Sequence, residues 1–415
     1  MTTMLSLRRS LALLGFLMAF ALAAVAQSAP LFTTADTLRG SLNANRTWWD
    51  VLHYDLSLTP NFSNKSISGR TTIAFSSQGG STMQIDLQQP LVADSVLLNG
   101  NPVPFVQQNN ILLVQAAGKP QARLGTGRFT LTVVYHGQPI IAKNPPWDGG
   151  WIFETDRQGR PWMSVACQGL GASVWYPCKD HQSDEPDEGA RLTVSVPEGL
   201  MAVANGTLTQ TSTSQGVSTF SWVVRNPINT YNLVPYIGHY TRFEDQYMGK
   251  KGALACSYWV LDYNMSKAKQ QFVQAKSMLQ CFEDWLGPYP FYEDGYKLVE
   301  SPHLGMEHQS AIAYGNNFAN GYRGRDLSGT GIGSQWDYIL IHESGHEWFG
   351  NNISSKDIAD MWVHESFTTY TEALYSECLL GKRAGSTYVC GLRKNIRNDA
   401  PIIGLYGVNK AGSGD

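Results

Sequence analysis

The chain has 415 residues, a formal net charge of -3 and a hydrophobic fraction of 43%. A chain of this length is expected to form two or three domains, each with its own hydrophobic core. Its basic residues are scattered and form no run, which excludes the continuous positive surface that nucleic-acid binders carry. We therefore expect no nucleic-acid partner.

The N-terminus has the pattern of a secretory signal peptide. Two arginines precede an apolar stretch that closes on Ala24-Val25-Ala26, the kind of small-residue sequence that signal peptidase cleaves. The pattern predicts a signal peptide over residues 1–26, removed between Ala26 and Gln27, and a polar leader over residues 27–45. No later segment holds about 18 consecutive apolar residues, so no membrane span is expected. The predicted location is secreted or periplasmic.

The cysteines leave the disulfide pattern open. All six follow the predicted signal peptide, and an oxidising compartment would permit them to pair. Six cysteines allow many pairings. Buried free thiols are the alternative, since a chain of this size can hold a core without disulfides. The six are Cys167, Cys178, Cys256, Cys281, Cys378 and Cys390.

The first half of the chain alternates apolar and polar residues, with Gly, Pro, Asn and Ser between the alternating segments. This period is typical of half-buried strands. It predicts an antiparallel β domain over residues 46–252. The clearest alternating segments are residues 53–58, 71–75, 129–135 and 192–196.

After residue 252 the apolar residues recur at helical spacing, which predicts a mainly helical domain over residues 253–415. The first predicted helix covers residues 266–286. The second covers residues 335–349, with Ser334 as N-cap and Gly350 just after its end. The third covers residues 358–380, between Asp357 and Gly381.

Two histidines four residues apart lie in the second predicted helix. His342 and His346 belong to the sequence His-Glu-Ser-Gly-His, and their spacing places both imidazoles on one helix face, where one ion can bind to both. Glu343 lies beside them and is the predicted general base. Two surface histidines without a metal are the alternative. A catalytic zinc ion needs three protein ligands and one position for water, so a third donor must lie elsewhere.

Glu365 is the predicted third zinc ligand. One class of zinc peptidase requires Gly and His in the continuation of the motif, where this chain has Phe349 and Asn352. The third donor must therefore lie further along. Glu365, in the third predicted helix, follows His346 after 18 residues (347–364), which is enough for a loop and a helix that returns past the ion.

Two neighbours of Glu365 have different predicted roles. Glu372 lies two turns later on the same face and is predicted to accept a hydrogen bond from a zinc-bound imidazole. An ordinary solvated carboxylate is the alternative for Glu372. His364 points about 100 degrees away around the helix, so we do not expect it to reach the same ion.

These residues resemble the aminopeptidase N and leukotriene hydrolase family of zinc metallopeptidases, the gluzincin aminopeptidases, and in particular its secreted bacterial members. The family signature is His-Glu-x-x-His, 18 residues and Glu, which His342, His346 and Glu365 reproduce. The resemblance covers about residues 46 to 400. It implies an α+β fold, with a saddle-like antiparallel β-sheet domain followed by a thermolysin-like, mainly helical catalytic domain that binds one zinc ion.

The resemblance also implies a set of substrate-binding residues. The segment Gly305-Met306-Glu307-His308 looks like the family strand that runs along the substrate and places a Glu on its free α-amino group. Glu307 would then anchor the amine, and Gly305, Met306 and His308 would line the substrate site. Gln168, in a segment similar to the family's Gln-containing pocket segment, would line the first pocket.

Several positions depart from the family pattern. Leu304 and His308 replace the first Gly and the Asn of the amine-binding strand, and Ser366 replaces a Gly beside the third ligand. These departures leave the preferred substrate open. The family's oxyanion-stabilising tyrosine and C-terminal helical domain are expected beyond residue 415, because Tyr406 lacks the sequence context of that tyrosine. We therefore expect the chain to be C-terminally truncated, with an incomplete catalytic domain.

Together the motifs predict a zinc-dependent aminopeptidase that acts on peptides with a free N-terminus. Zinc-bound water would attack the first peptide bond, and Glu343 would take its proton. An endopeptidase or an epoxide hydrolase on the same zinc site is one alternative. A catalytically inactive peptide-binding fragment is another, although binding alone does not require a general base.

Overall fold

A computed structural model describes residues 37, 40–119, 121–399 and 401–407. The predicted signal peptide and most of the predicted leader lie outside these residues. Among the described helices, none is long and apolar enough to cross a membrane.

Alternating side chains build a large sheet in the first half of the chain. On the first strand, Tyr54, Leu56 and Leu58 are buried, while the intervening Asp55 and Ser57 are half-buried and face the other side. This two-residue period places one face of the sheet on the first hydrophobic core. The strands of this half are β1 (Trp49–Asn61), β2 (Ser66–Gly80), β3 (Thr82–Asp86), β4 (Val92–Leu98), β5 (Asn101–Pro102), β6 (Phe105–Gln108), β7 (Ile111–Gln115), β8 (Leu124–Gly137), β9 (Gly150–Thr155), β10 (Pro161–Ala166), β11 (Ala190–Pro197), β12 (Met201–Ala204), β13 (Thr207–Ser214), β14 (Val217–Val224) and β15 (Pro235–Gly238).

These strands form three sheets. The largest has eight strands in the order β13-β14-β11-β1-β2-β8-β4-β5, and smaller sheets have the orders β12-β15-β10-β9 and β3-β7-β6. The large sheet departs from a purely antiparallel arrangement at one pair, because β1 and β11 run parallel, from Tyr54 opposite Ala190 to Leu58 opposite Val194. No hairpin joins these two strands, so no tight turn imposes an antiparallel direction.

A fourth sheet and a second hydrophobic core lie in the rest of the chain. The sheet order is β16-β17-β18-β20-β19, and the short edge strand β19 carries two of the predicted substrate residues, Gly305 and Met306. The predicted domain boundary at residue 252 falls at the tip of the β16–β17 hairpin, where Gly249 pairs with Gly252. The strands are β16 (Tyr240–Gly249), β17 (Gly252–Leu261), β18 (Tyr296–Glu300), β19 (Gly305–Met306) and β20 (Ile312–Tyr314).

Five α-helices lie in the described residues of this half. The first predicted helix is interrupted by a turn in which the Ala275 amide donates to the Phe272 carbonyl at 3.0 Å. The third predicted helix begins with a 3-10 turn, Ile358–Asp360, capped by Asp357, and ends at Gly381 as predicted. The helices are α1 (Met265–Gln271), α2 (Gln274–Leu286), α3 (Tyr338–Gly345), α4 (Trp362–Leu380) and α5 (Lys382–Leu392).

Helix α3 begins later than predicted, and Ser334 is not its N-cap. The cap is Asp337, whose carboxylate accepts from the Leu340 amide at 3.3 Å. The same buried carboxylate accepts from the Tyr314 hydroxyl at 2.6 Å and from the Gln271 side chain at 2.8 Å. The Ser334 hydroxyl instead donates to a loop carbonyl. Tertiary partners therefore decide between two residues that both cap helices well.

One disulfide joins two helices. Cys281 in α2 pairs with Cys378 in α4. Cys167, Cys178 and Cys256 are buried free thiols, and Cys390 is an exposed one. The sequence left open whether the cysteines form disulfides or stay as buried free thiols. Both occur in the described residues.

The capping arrangement predicts that Asp337→Ala lowers the free energy of unfolding by about 2–4 kcal/mol, because it leaves several buried donors without an acceptor. The matched control is Ser334→Ala, which should change the value by less than about 0.5 kcal/mol. Denaturant unfolding followed by circular dichroism measures both. Equal losses in the two variants would contradict the assignment of the cap.

Candidate metal centre

Helices α3 and α4 bring three predicted metal donors together. His342 lies in the last turn of α3 and His346 is its C-cap residue, and their Nε2 atoms lie 3.3 Å from each other. The helix thus ends at Gly345, earlier than the predicted end at residue 349. Glu365, at the start of α4, places Oε2 at 3.6 Å from the first nitrogen and 3.7 Å from the second. One donor atom from each residue falls within 4.8 Å of the others.

The other ring nitrogen of each imidazole, Nδ1, has a hydrogen-bond partner within the protein. The Nδ1 atom of His342 lies 2.7 Å from the Glu372 carboxylate, and that of His346 lies 3.0 Å from the Phe349 carbonyl. Because both partners are acceptors, each Nδ1 carries the proton and each Nε2 presents a lone pair. Two lone pairs facing each other repel, so this geometry favours a cation between them.

The donor set fits zinc. Zn–N bonds of about 2.1 Å at a tetrahedral angle place two nitrogens about 3.4 Å apart, close to the spacing found here. Two histidines and a glutamate leave a fourth position for water, as in catalytic rather than structural zinc sites. Burial alone would raise the pKa of Glu365, but protonated imidazoles of His346 and His342 lower it to about 2. When the imidazoles are neutral, a bound cation would supply the positive charge that favours the carboxylate.

Glu372 lies where its predicted role requires it. Its side chain is fully buried, so it is not a solvated helix carboxylate. One oxygen accepts from His342, and the other accepts from the Tyr388 hydroxyl at 2.6 Å. Tyr388, in α5, was not identified from the sequence, because it belongs to no motif. His364 is also buried, and its Nε2 accepts from the Ser355 amide at 2.9 Å instead of joining the donor group.

Glu343 lines a cavity together with the three metal donors, and it is almost completely buried. Burial raises its pKa to about 8, with further contributions from Glu307, Glu365 and Glu372. A bound cation beside it would favour the ionised form again. Gly305 permits the edge strand to approach this carboxylate, since a Cβ at that position would lie 2.6 Å from Glu343 Oε1.

Glu307 is held by two residues of the first half of the chain. Its Oε1 accepts from the Gln168 side chain at 2.5 Å and from the Tyr231 hydroxyl at 2.8 Å. The Asn351 side chain donates to the Glu307 carbonyl at 2.7 Å and so fixes its backbone as well. Tyr231 was missed in the sequence because it lies 76 residues before Glu307 and outside every motif.

The predicted substrate residues share one cavity of 350 Å³, with one exception. Gly305, Met306, Glu307 and Gln168 line it together with the metal donors and Glu343. His308 does not line it.

His308 points behind the edge strand, where its Nδ1 lies 2.5 Å from the Tyr236 hydroxyl. Burial holds its pKa well below the usual value, so the imidazole is neutral. A direct contact between His308 and substrate is therefore not supported, because the imidazole bonds to Tyr236 and does not line the cavity. Tyr406 lies outside the cavity too, and its exposed hydroxyl donates a hydrogen bond to the Asp360 carboxylate.

Two segments of the chain match models of known protein domains. Residues 51–232 match the Peptidase M1 N-terminal domain, and residues 271–400 match the Peptidase family M1 domain. The chain belongs to peptidase family M1. The resemblance to the aminopeptidase N and leukotriene hydrolase family and the expected fold class are thereby confirmed.

Among M1 relatives, leukotriene A-4 hydrolase of Xenopus laevis is 22% identical over 86% of this chain and 56% of its own length. Aminopeptidase B of Rattus norvegicus is 24% identical over 82% of this chain and 52% of its own length. The chain thus spans about half the length of these relatives.

A crystal structure of an M1 zinc metallopeptidase mutant from Deinococcus radiodurans, bound to a Tyr-Ser-Ala substrate, is also similar. It has a TM-score of 0.68 and 25% identity, and the match covers 81% of this chain and 73% of that one. The expected cofactor, one catalytic zinc ion, is confirmed by this family and by a donor group that fits it. The assignment of the individual ligands stays a prediction.

The contact between Glu372 and His342 predicts that Glu372→Gln weakens zinc binding about 10- to 100-fold, because the imidazole loses a charged acceptor that orients it. Competition with a chromogenic chelator measures the affinity. Glu377→Gln, one turn and a half further along α4, is the matched control and should leave zinc binding unchanged. If the two variants bound zinc equally well, Glu372 would not support the metal.

Proposed function

We propose that the chain is a zinc-dependent aminopeptidase that removes residues from the N-terminus of peptides. The observation that carries this proposal is the position of Glu307, whose carboxylate lies in the same cavity as the metal donors. Hydrogen bonds from Gln168 and Tyr231 both end on Oε1, so Oε2 takes part in neither and can accept from an ammonium group. The Tyr-Ser-Ala substrate of the Deinococcus radiodurans structure supports a peptide as the ligand.

The zinc ligands in this proposal are His342, His346 and Glu365. A bound zinc ion supplies Lewis-acid chemistry here, which lowers the pKa of water and polarises a carbonyl. Glu343 accepts the proton of the attacking water on its carboxylate and returns it to the leaving amine. Its position against the backbone of Gly305 keeps that carboxylate at one wall of the cavity.

Glu307 sets which bond is cleaved. An ammonium group bound to its carboxylate fixes the distance from the N-terminus to the metal, so only the first peptide bond reaches the metal donors. Gln168 and Tyr231 position this carboxylate and neutralise none of its charge. An endopeptidase or epoxide hydrolase would use the same donors without needing this anchor, and a binding module would not need Glu343.

We also propose that the protein is exported. The support for this is the signal-peptide pattern of residues 1–26, which is followed by a predicted cleavage after Ala26. Sequencing the N-terminus of the protein recovered outside the cytoplasm tests it. An intact Met1 on that material would contradict the proposal.

Loss of the general base gives the first functional prediction. Glu343→Gln should lower kcat on aminoacyl amides by about 100- to 10,000-fold, because the side chain keeps its shape but can no longer take a proton. Zinc content, measured by atomic emission, should stay at one ion per chain. Zinc with no turnover in both the variant and the unmodified chain would instead favour the inactive binding module.

The proposed binding of the substrate amine to Glu307 gives the second functional prediction. Acetylating the N-terminus of a peptide substrate should abolish turnover, because the neutral amide cannot bind to Glu307 as a cation. Glu307→Gln should raise KM for the free peptide about 10-fold or more, since it removes the opposite charge. Equal cleavage of free and acetylated peptides, analysed by mass spectrometry, would contradict an aminopeptidase and support an endopeptidase.

A further inference from the structure

Part of the cavity lining is apolar. Pro146, Trp147, Met306, Ile358 and Met361 contribute to it. In the described part of the chain, the charged or titratable residues that line the cavity are the two histidines, Glu365, Glu343 and Glu307. All of these already have a role in metal binding, proton transfer or amine binding. No charge remains to pair with a charged substrate side chain.

Trp147 lies on the amine-binding side of this cavity. Strands β9 and β10 form a hairpin in which Gly150 pairs with Ala166. Trp147 precedes one strand by three residues and Gln168 follows the other by two, so both leave the hairpin at the same end. Gln168 donates to the Glu307 carboxylate, and Trp147, Gln168 and Glu307 line the same cavity. We therefore infer that the indole lies towards the group proposed to bind the substrate amine.

The loop that carries Trp147 packs against the segment that carries Gln168. Gly149 adopts a positive φ of 68°, and a Cβ at this position would lie 2.8 Å from the Leu170 Cβ. Only a glycine permits this approach without a shift of the backbone. The position of Trp147 is thus coupled to the position of Gln168.

Hydrogen bonds within the loop also constrain its backbone. The Asp148 carboxylate accepts from the Lys143 amide at 2.6 Å and from the Asn144 amide at 2.9 Å. The Trp147 amide donates to the Asn144 carbonyl at 3.1 Å. These bonds constrain the backbone of the loop, while Trp147 is 46% exposed. A large aromatic residue that is only half covered has area left to bury against a ligand.

We propose that Trp147 is the aromatic wall of the subsite for the substrate's first side chain, and that the chain prefers peptides beginning with a large apolar residue. This inference depends on the proposed aminopeptidase function. With the amine on Glu307 and the first carbonyl at the metal donors, the first side chain leaves the substrate between these two points. Trp147 and Met306 then offer it an indole face and a thioether, which both pack well against apolar and aromatic groups.

The test uses the zinc-loaded chain and fluorogenic aminoacyl amides of Ala, Leu, Phe and Arg. The unmodified chain should hydrolyse the Leu and Phe amides with a kcat/KM about 10-fold or more above that of the Ala amide. Trp147→Ala should lower the value about 10-fold or more for Leu and Phe but less than about 3-fold for Ala. Trp147→Phe should keep most of the preference, because it keeps an aromatic face.

Trp285→Ala is the matched control, because Trp285 is a similarly exposed indole on α2 and does not line the cavity. It should leave all four rates unchanged. An equal loss on all substrates in Trp147→Ala, or an unmodified chain that prefers Arg or Ala, would overturn the inference while leaving the aminopeptidase proposal intact. Failure of the unmodified chain to hydrolyse any of the four amides would instead refute the aminopeptidase proposal itself.

Discussion

Three buried or half-buried carboxylates share one small cavity with two imidazoles, and like charges this close destabilise one another unless cations accompany them. Glu307, Glu343 and Glu365 all line this cavity. Burial and the neighbouring carboxylates raise the pKa of Glu343 to about 8. The arrangement is therefore complementary to two positive charges, a divalent ion at the donor group and an ammonium group at Glu307. The proposed metal binding, proton transfer and amine binding all depend on the way the chain distributes these carboxylates.

The site depends on both halves of the chain. Helix α3, its C-cap residue and helix α4 carry the proposed metal donors and general base, while the first half supplies Gln168 and Tyr231, which hold Glu307. Gln168 follows the β9–β10 hairpin, and Tyr231 lies in a 3-10 turn before β15. Trp147 precedes the same hairpin. A change in how the first half packs would therefore affect substrate selection before it affected metal binding, since the donors lie entirely on α3, its C-cap residue and α4.

The sequence identified residues that the structure brings together as possible metal donors, because the information for that placement is local. A separation of four residues on a helix determines which side chains share a face, so His342 and His346 could be placed together from spacing alone. The roles of Glu307 and Gln168 came from resemblance to a family, and their contact in the structure agrees with a shared pocket. His308 could not be placed correctly, because it follows the two-residue strand β19 and its direction depends on a tertiary contact with Tyr236.

Residues that act through tertiary contacts were not predictable. Tyr231, Tyr388 and Trp147 belong to no periodic pattern. Tyr231 donates to Glu307, 76 residues later, and Tyr388 donates to Glu372 in the preceding helix. The competition between Ser334 and Asp337 for the start of α3 was decided by Tyr314 and Gln271, which come from other elements. The parallel pairing of β1 with β11 has the same origin, since alternation predicts a strand but not its neighbour.

Anomalous diffraction at the zinc absorption edge, on crystals of the zinc-loaded chain soaked with a slowly cleaved peptide analogue, tests the central claim most directly. We expect one anomalous peak within bonding distance of His342 Nε2, His346 Nε2 and the Glu365 carboxylate. We also expect the peptide's α-amine to bind to the Glu307 carboxylate in the same cavity. A peak held by other residues, or a peptide bound with its amine away from Glu307, would contradict the account.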